Sequence, residues 1–285
     1  MSFHAEVTEG FVESAGVRVR YYDNGESKSR LNGRTIVLLH GTGGSSERTF
    51  WALYPMLSFK HRVIALDFVD DTGEDTSLTL DHLVNQALSV IKHRVPDHPV
   101  TLLGYSLGAV IAAQIAGQCP EAIDNLVLVA GWSKTDAHQE LRYRIWQELY
   151  ESDHPSLASF MAYAAYSPGF LNSKTTDELE RLVAALRTGR DRSKAMALNR
   201  TIDITDVLPN IRARTLVVGC TFDQMVPLRH SHLLFGGIAD ASFVEIPSGH
   251  GVVHERPAEL FRAVHDFVTT PSAFAAGTVG ANHHA

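Results

Sequence analysis

The sequence predicts an α/β fold, a mostly parallel central sheet flanked by helices, with a helical cap inserted in its second half. Three observations carry this. Short apolar stretches within Thr35–Leu39, Arg62–Asp67, 100–103 and 126–130 read as strands of the kind a buried parallel sheet shows. Helical patterns lie between them, which is the alternation of a parallel α/β sheet. From Trp132 to about Asp206 that alternation stops, and helical patterns follow one another with no strand between.

Taken in order, residues 11–22 hold two alternating stretches, Phe-Val-Glu-Ser and Val-Arg-Val-Arg-Tyr-Tyr, joined at Ala15-Gly16. This predicts an antiparallel hairpin with one wet face, at the edge of the sheet. Residues 24–33 are polar and turn-rich. Strand Thr35–Leu39 then runs into His40-Gly41-Thr42-Gly43-Gly44-Ser45-Ser46, followed by a helix over 47–58 with Phe50, Leu53 and Leu57 on one face, and by the strand Arg62–Asp67. The acidic stretch 68–77 offers either a solvated turn or a divalent-cation loop. Its spacing matches no calcium loop, so a solvated turn is expected.

An amphipathic helix is predicted over 80–95, with Leu83, Ala87 and Ile91 at four-residue intervals. Strand 100–103 drives into Gly104-Tyr105-Ser106-Leu107-Gly108 and an alanine-rich helix that Pro120 ends; the strand 126–130 follows. In the insertion, helices are predicted over 139–150, 157–166, Thr176–Leu186 and 194–199. Tyr143, Trp146 and Tyr150 share one face, as do Phe160 and Tyr163; they either line an aromatic pocket or pack the cap onto the sheet. Strands resume at 215–218 and 243–246. A closing helix over 257–268 has Pro257 well placed in its first turn. The tail 270–285, rich in Ala, Gly and Thr, is expected to be disordered. The domain division is therefore 1–131 with 207–269 as core, 132–206 as cap and 270–285 as tail.

Composition narrows the function. The 285 residues are 45% hydrophobic, enough for a sizeable core, and the net charge is −7 with scattered basic residues. Neither a nucleic-acid footprint nor a polybasic membrane patch is visible, and no apolar run is long enough to cross a bilayer. The expected partner is a small molecule, and oligomeric state is not readable. Cys119 and Cys220 cannot build a disulfide framework, and the N-terminus lacks a signal-peptide pattern, so a cytoplasmic location is expected.

Gly104 to Gly108 is a G-x-S-x-G nucleophile elbow, in which flanking glycines let strand and helix approach and force the serine out on a strained backbone. Ser106 is the predicted nucleophile. Two further residues lie just past strand ends on the same side of the sheet. Asp223 stands in Val-Val-Gly-Cys-Thr-Phe-Asp-Gln-Met-Val-Pro, where it can orient an imidazole. His250 stands in Ile-Pro-Ser-Gly-His-Gly, with small neighbours that leave its ring free to reach Ser106; none of the other histidines among the 15 follows a strand in such company. His40 is expected to brace the glycine loop by hydrogen bonding. That loop lacks G-x-G-x-x-G spacing and a Walker lysine, which argues against a phosphate site. His250 with His254 does not make H-E-x-x-H, His283-His284 is too short for a metal site, and no metal or cofactor is expected.

The order Ser, Asp, His and these motifs resemble the α/β-hydrolase fold family, in its cap-bearing branch of esterases and lactonases. The resemblance covers nearly the whole chain. His40-Gly41-Thr42 is similar to the family's oxyanion loop, Gly219 to Pro227 to its acid loop, and Gly249-His250 with Glu255-Arg256-Pro257 to its terminal histidine segment. It implies oxyanion donors at the backbone N–H groups of Thr42 and Leu107, and substrate contacts at Trp132, Met225, Val226 and Val252. One departure is that the acidic 68–77 stands where the family usually has a short glycine-rich turn. The implied reaction is acyl transfer through Ser106 to water, on an ester, lactone or thioester; a tailoring thioesterase and a slow-turnover ligand receptor remain alternatives, and carbon–carbon cleavage is disfavoured by the loop after Gly41.

Overall fold

A computed structural model describes residues 7–25, 34–70, 73, 76–187 and 191–280. In chain order its elements are β1 (Thr8–Ser14), β2 (Val17–Asp23), β3 (Thr35–Leu39), α1 (Ser46–Thr49), α2 (Leu53–Ser58), β4 (Arg62–Asp67), α3 (Leu80–Arg94), β5 (Val100–Tyr105), α4 (Leu107–Gln118) and β6 (Ile123–Val129). The insertion then contributes α5 (Ala137–Glu151), α6 (Leu157–Ala165), α7 (Pro168–Asn172), α8 (Thr176–Leu186) and α9 (Ser193–Arg200). The chain closes with β7 (Arg214–Cys220), α10 (Leu228–Gly237), β8 (Ala241–Ile246), α11 (Val252–Glu255), α12 (Pro257–Thr269) and β9 (Val279–Gly280).

Among the described residues the sheet runs β1-β2-β4-β3-β5-β6-β7-β8-β9, antiparallel at β1/β2 and β2/β4 and parallel elsewhere. The hairpin turns on Ala15 (φ 50°) and Gly16 (φ 84°), the two positive values that a two-residue turn matching strand twist demands. In the central strands alternate side chains go to opposite layers. Val37, Leu39, Leu102, Leu126, Leu128 and Val217 join the layer under α3, α4 and α10. Ile36, Leu38, Leu103, Val127, Val129 and Val218 join the layer under α2 and α12. Each such side chain contributes roughly 1.5–3 kcal/mol by leaving water, which explains why apolar runs rather than alternation mark these strands. Helix α4 is buried along almost its whole length, between sheet and α3, and is accordingly apolar all round.

The sheet edge is fastened by charge. Asp23 at the end of β2 is closed to solvent and accepts from Arg62 Nη2 (2.7 Å) and Nε, and from Arg94 Nη2 (2.7 Å) and Nε. Burial raises its pKa, but hydrogen bonds from Arg62, the Gly25 N–H and Arg94 outweigh this and hold it below the ordinary carboxylate value.

The insertion leaves and re-enters the core at adjacent points. Lys134 pairs with Asp203 in an isolated antiparallel bridge, and Ile204 N–H donates to the Ser133 carbonyl at 2.7 Å. Three expectations differ from what is found. The helix over 47–58 is two, α1 and α2, because Pro55 has no N–H and its ring would strike the preceding turn of a continuous helix; the break at Phe50–Ala52 places it in a first turn. Helix α10 carries the crossover from β7 to β8, where no helix was expected. Residues 271–280 are not disordered: β9 pairs with β8, and Phe274 packs edge-on against Phe267. The rest of that tail, 281–285, lies outside the described residues, as do 26–33 of the polar stretch and 71, 72, 74 and 75 of the acidic loop.

His61 supplies a test of the packing between the end of α2 and α12. It is 3% exposed, with Nε2 3.4 Å from His265 Nδ1, and its pKa falls to about 4 through burial, then through His265 and Lys60. The folded chain thus refuses a proton that the unfolded chain accepts below its ordinary value of 6.5. Stability from this site is complete above that value and declines as pH falls from it toward 4. The expected loss is roughly 1–2 kcal/mol, reduced by solvent screening near the surface. Urea unfolding across that pH range checks it, and His61→Gln should flatten the slope.

Candidate active site

Strand β5 delivers Ser106 into the turn before α4 at φ 58°, ψ −121°, a backbone conformation that costs a non-glycine residue of order 1–3 kcal/mol. The turn is held because its neighbours are glycines. A Cβ on Gly104 would lie 2.1 Å from the Gly108 carbonyl oxygen, and one on Gly108 would lie 2.1 Å from that of Leu39. Ser106 N–H donates to the Val129 carbonyl (2.9 Å), tying the elbow to β6. Leu107 N–H opens α4 and has no intrahelical acceptor, so it and the helix's positive end are available to an anion beside Ser106.

Beyond β7, Asp223 is 4% exposed and fully committed. Its Oδ1 accepts from the N–H groups of Met225 and Val226, both at 2.8 Å, and its Oδ2 lies 2.7 Å from His250 Nδ1. A carboxylate there places the ring proton on Nδ1 and leaves Nε2 as an acceptor, 2.9 Å from Ser106 Oγ. The loop carrying His250 is fixed from two sides. Tyr105 Oη donates to the His250 carbonyl (2.8 Å), and burial pushes its phenol well above the ordinary value, so it remains a donor. Glu255 accepts from Gly249 N–H (3.0 Å) in that loop, and from Ser167 N–H (2.9 Å) and Oγ (2.6 Å) in the insertion.

Ser106 and His250 open onto a small cavity of ≈ 130 Å³ between sheet and insertion. Thr42, Trp132, Met225 and Val226 are among its lining residues. Val252 is not: it begins α11, and that first turn sends its side chain into the opposite core layer with Leu260, Val264 and Phe267. Of the aromatic residues, Tyr143 and Trp146 line the cavity. Tyr150 instead stacks on Trp146 at 4.8 Å between centroids, Phe160 is packed into the insertion, and Tyr163 is exposed. His40 does brace the glycine loop. Its Nε2 accepts from Phe68 N–H at 3.0 Å, which leaves Nδ1–H to donate to the Gly41 carbonyl at 2.8 Å.

Lining residues that sequence reasoning missed include Asn199, Arg142, Arg192, Met161 and Met196. Asn199 Nδ2 donates to Thr42 Oγ1 (2.8 Å), linking α9 to the glycine loop. A signal for Arg142 was present. The buried stripe of α5 is Gln139, Arg142, Tyr143 and Trp146, the spacing of one helix face, and an arginine inside such a stripe is anomalous. Burial raises the Cys220 thiol far above neutrality, which keeps it protonated. Among the described residues, no group of three or more His, Cys, Asp or Glu side chains could hold a metal, and no helix is long and apolar enough to cross a membrane.

The model of the "Alpha/beta hydrolase family" matches residues 36–263. A curated relative, a putative carbamate hydrolase RutD of Rhizobium rhizogenes, is 30% identical over 263 residues, covering 85% of this chain and 95% of that protein. The pyrrolizixenacetamide deacetylase of Xenorhabdus hominickii is 26% identical over 83% of this chain and 91% of its own length. Among solved structures, the enzyme MGS-M2 from a Medee basin deep-sea metagenome library superposes with a TM-score of 0.80 at 23% identity, over 91% of this chain and 97% of that one. The enol-lactonase of Burkholderia xenovorans gives 0.75 at 19% identity, over 91% and 100%.

Proposed function

Since the chain belongs to the alpha/beta hydrolase family, we propose that it is a serine hydrolase cleaving a carboxylic ester or lactone of a small molecule. One observation carries the reading: the unbroken relay Ser106 Oγ–His250 Nε2 (2.9 Å) and His250 Nδ1–Asp223 Oδ2 (2.7 Å), with the serine on a strained turn. A residue serving only as a helix cap needs neither the strain nor the relay. The relatives' names, a deacetylase and a carbamate hydrolase, also denote hydrolysis at a carbonyl carbon.

In the proposed reaction His250 Nε2 takes the Ser106 proton as Oγ bonds to the ester carbonyl carbon. The carbonyl electron pair moves onto oxygen, and the oxyanion accepts from the backbone N–H groups of Leu107 and Thr42. The carbon–oxygen bond to the alcohol then breaks, and that oxygen takes the proton from His250. Water, deprotonated by His250, attacks the acyl-serine; the acid leaves and Ser106 regains its proton. Asp223 holds the imidazole in the required tautomer and stabilises the imidazolium, without itself taking the proton. The inserted helices act as the cap that closes the cavity.

A panel of nitrophenyl esters of increasing acyl length, together with a fluorophosphonate probe, tests this. Multiple turnovers with a short-chain optimum are expected, the latter from the small cavity. The adduct should map to Ser106. A folded sample with neither turnover nor labelling would overturn the assignment.

A further inference from the structure

Arg142 is a buried cation whose interactions within the chain, with the Tyr143 side chain and through space with Asp223, leave part of its guanidinium unused. It is 8% exposed, and neither Nε nor Nη1 has a hydrogen-bond partner. Its guanidinium carbon lies 4.2 Å from the centroid of Tyr143, a contact that engages the ring face and leaves those in-plane donors unused. A buried cation lacking an anion costs several kcal/mol, so native proteins pair such groups. Among the described residues lining the cavity there is no Asp or Glu, whereas Arg142 and Arg192 both line it. The Asp223 carboxylate acts on Arg142 only through space, its hydrogen bonds running to Met225, Val226 and His250.

The missing partner is therefore sought outside the chain. We infer that Arg142 is an anion-binding group of the cavity, and that the substrate carries a carboxylate which Arg142 holds while the scissile carbonyl lies at Ser106. This rests on Ser106 being the nucleophile of that cavity. A carboxylate suits the donor: it is planar, singly charged, and accepts strong charge-assisted hydrogen bonds from a guanidinium. The confined volume restricts the substrate to a short acid ester, and Tyr143 and Trp146 exclude water from the ion pair. Held at one end by charge, the substrate has its carbonyl positioned by the distance between its own two groups.

Pairs of esters differing by one methyl-to-carboxylate exchange read this directly: monomethyl succinate against methyl butyrate, and O-acetylglycolate against ethyl acetate, followed by acid release. In at least one pair the wild type should favour the anion by ~10-fold or more in kcat/KM. In Arg142→Met the ratio within that pair should fall to within about threefold, and Arg142→Lys should restore part of it. Should Arg142→Met fail to fold, the wild type still decides. Succinate should compete with nitrophenyl acetate, while the uncharged analogue butyramide should not.

Wild-type turnover of the neutral esters with no preference for the anion in either pair would overturn the inference, as would an unchanged ratio in folded Arg142→Met. Competition by inorganic phosphate with none by succinate would overturn the carboxylate assignment. A wild type that turns over none of the four esters and takes no fluorophosphonate defeats the hydrolase reading instead. In that event, calorimetric titration of wild type and Arg142→Met with succinate still tests the anion site.

Discussion

Ser106→Ala is expected to lower ester turnover by a factor on the order of ten thousand to a million, leaving the protein folded. The size follows from the proposed mechanism, in which no acyl-serine can form without Oγ and His250 can only assist water. The fold survives because alanine keeps the Cβ that already packs against Gly41 and suffers the same backbone strain at φ 58°. The measurement is single-turnover and steady-state hydrolysis of the best nitrophenyl ester, with thermal midpoints for both proteins. A variant retaining a tenth of wild-type turnover would move the nucleophile elsewhere.

The second large effect falls on stability. Gly108→Ala is expected to destabilise the protein by at least ~4 kcal/mol, or to abolish soluble expression, because the added methyl meets backbone and not a movable side chain. Its Cβ would stand 2.1 Å from the Leu39 oxygen, 2.7 Å from that carbonyl carbon and 2.8 Å from the His40 oxygen. Only separation of α4 from β3 relieves this, and the same separation would displace the elbow. Gly236→Ala in α10 is the matched control, since a Cβ there meets nothing within 4 Å. That variant should hold or raise the midpoint, as alanine favours a helix over glycine by about 1 kcal/mol. Urea unfolding of the two variants side by side separates a steric clash from a general intolerance of lost glycine.

Much of this architecture was legible because its causes are local. A strand buried on both faces must be continuously apolar, so β3 to β6 stand out, and an elbow that brings helix onto strand must carry small residues on either side of its serine. Helix α10 escaped because the window 228–237 mixes histidines with two glycines and has a weak helical preference of its own; the crossover between β7 and β8 imposes it. The tail was misjudged for a related reason. Its composition cannot make a core, yet β8 offers a free edge and Phe267 a surface. Val252 was misplaced because nearness to His250 in sequence says nothing about which way the intervening turn points. The stripe of α5 marks Arg142 as buried, but that Arg142 and Asn199 line one cavity depends on α5 and α9 meeting over it, which no local pattern encodes.

Glu255 bears on how such a protein can be rebuilt. Because one carboxylate accepts from Ser167 in the insertion and from Gly249 beside His250, residues 167 and 255 form a unit that spans the insertion and the core. A chimera that imports the 132–206 segment of a relative has to import a donor at 167 with it, or alter 255 to match. Otherwise a half-buried carboxylate loses two of its three donors, and a graft chosen for a new specificity would loosen the loop that carries His250, a region it never touched.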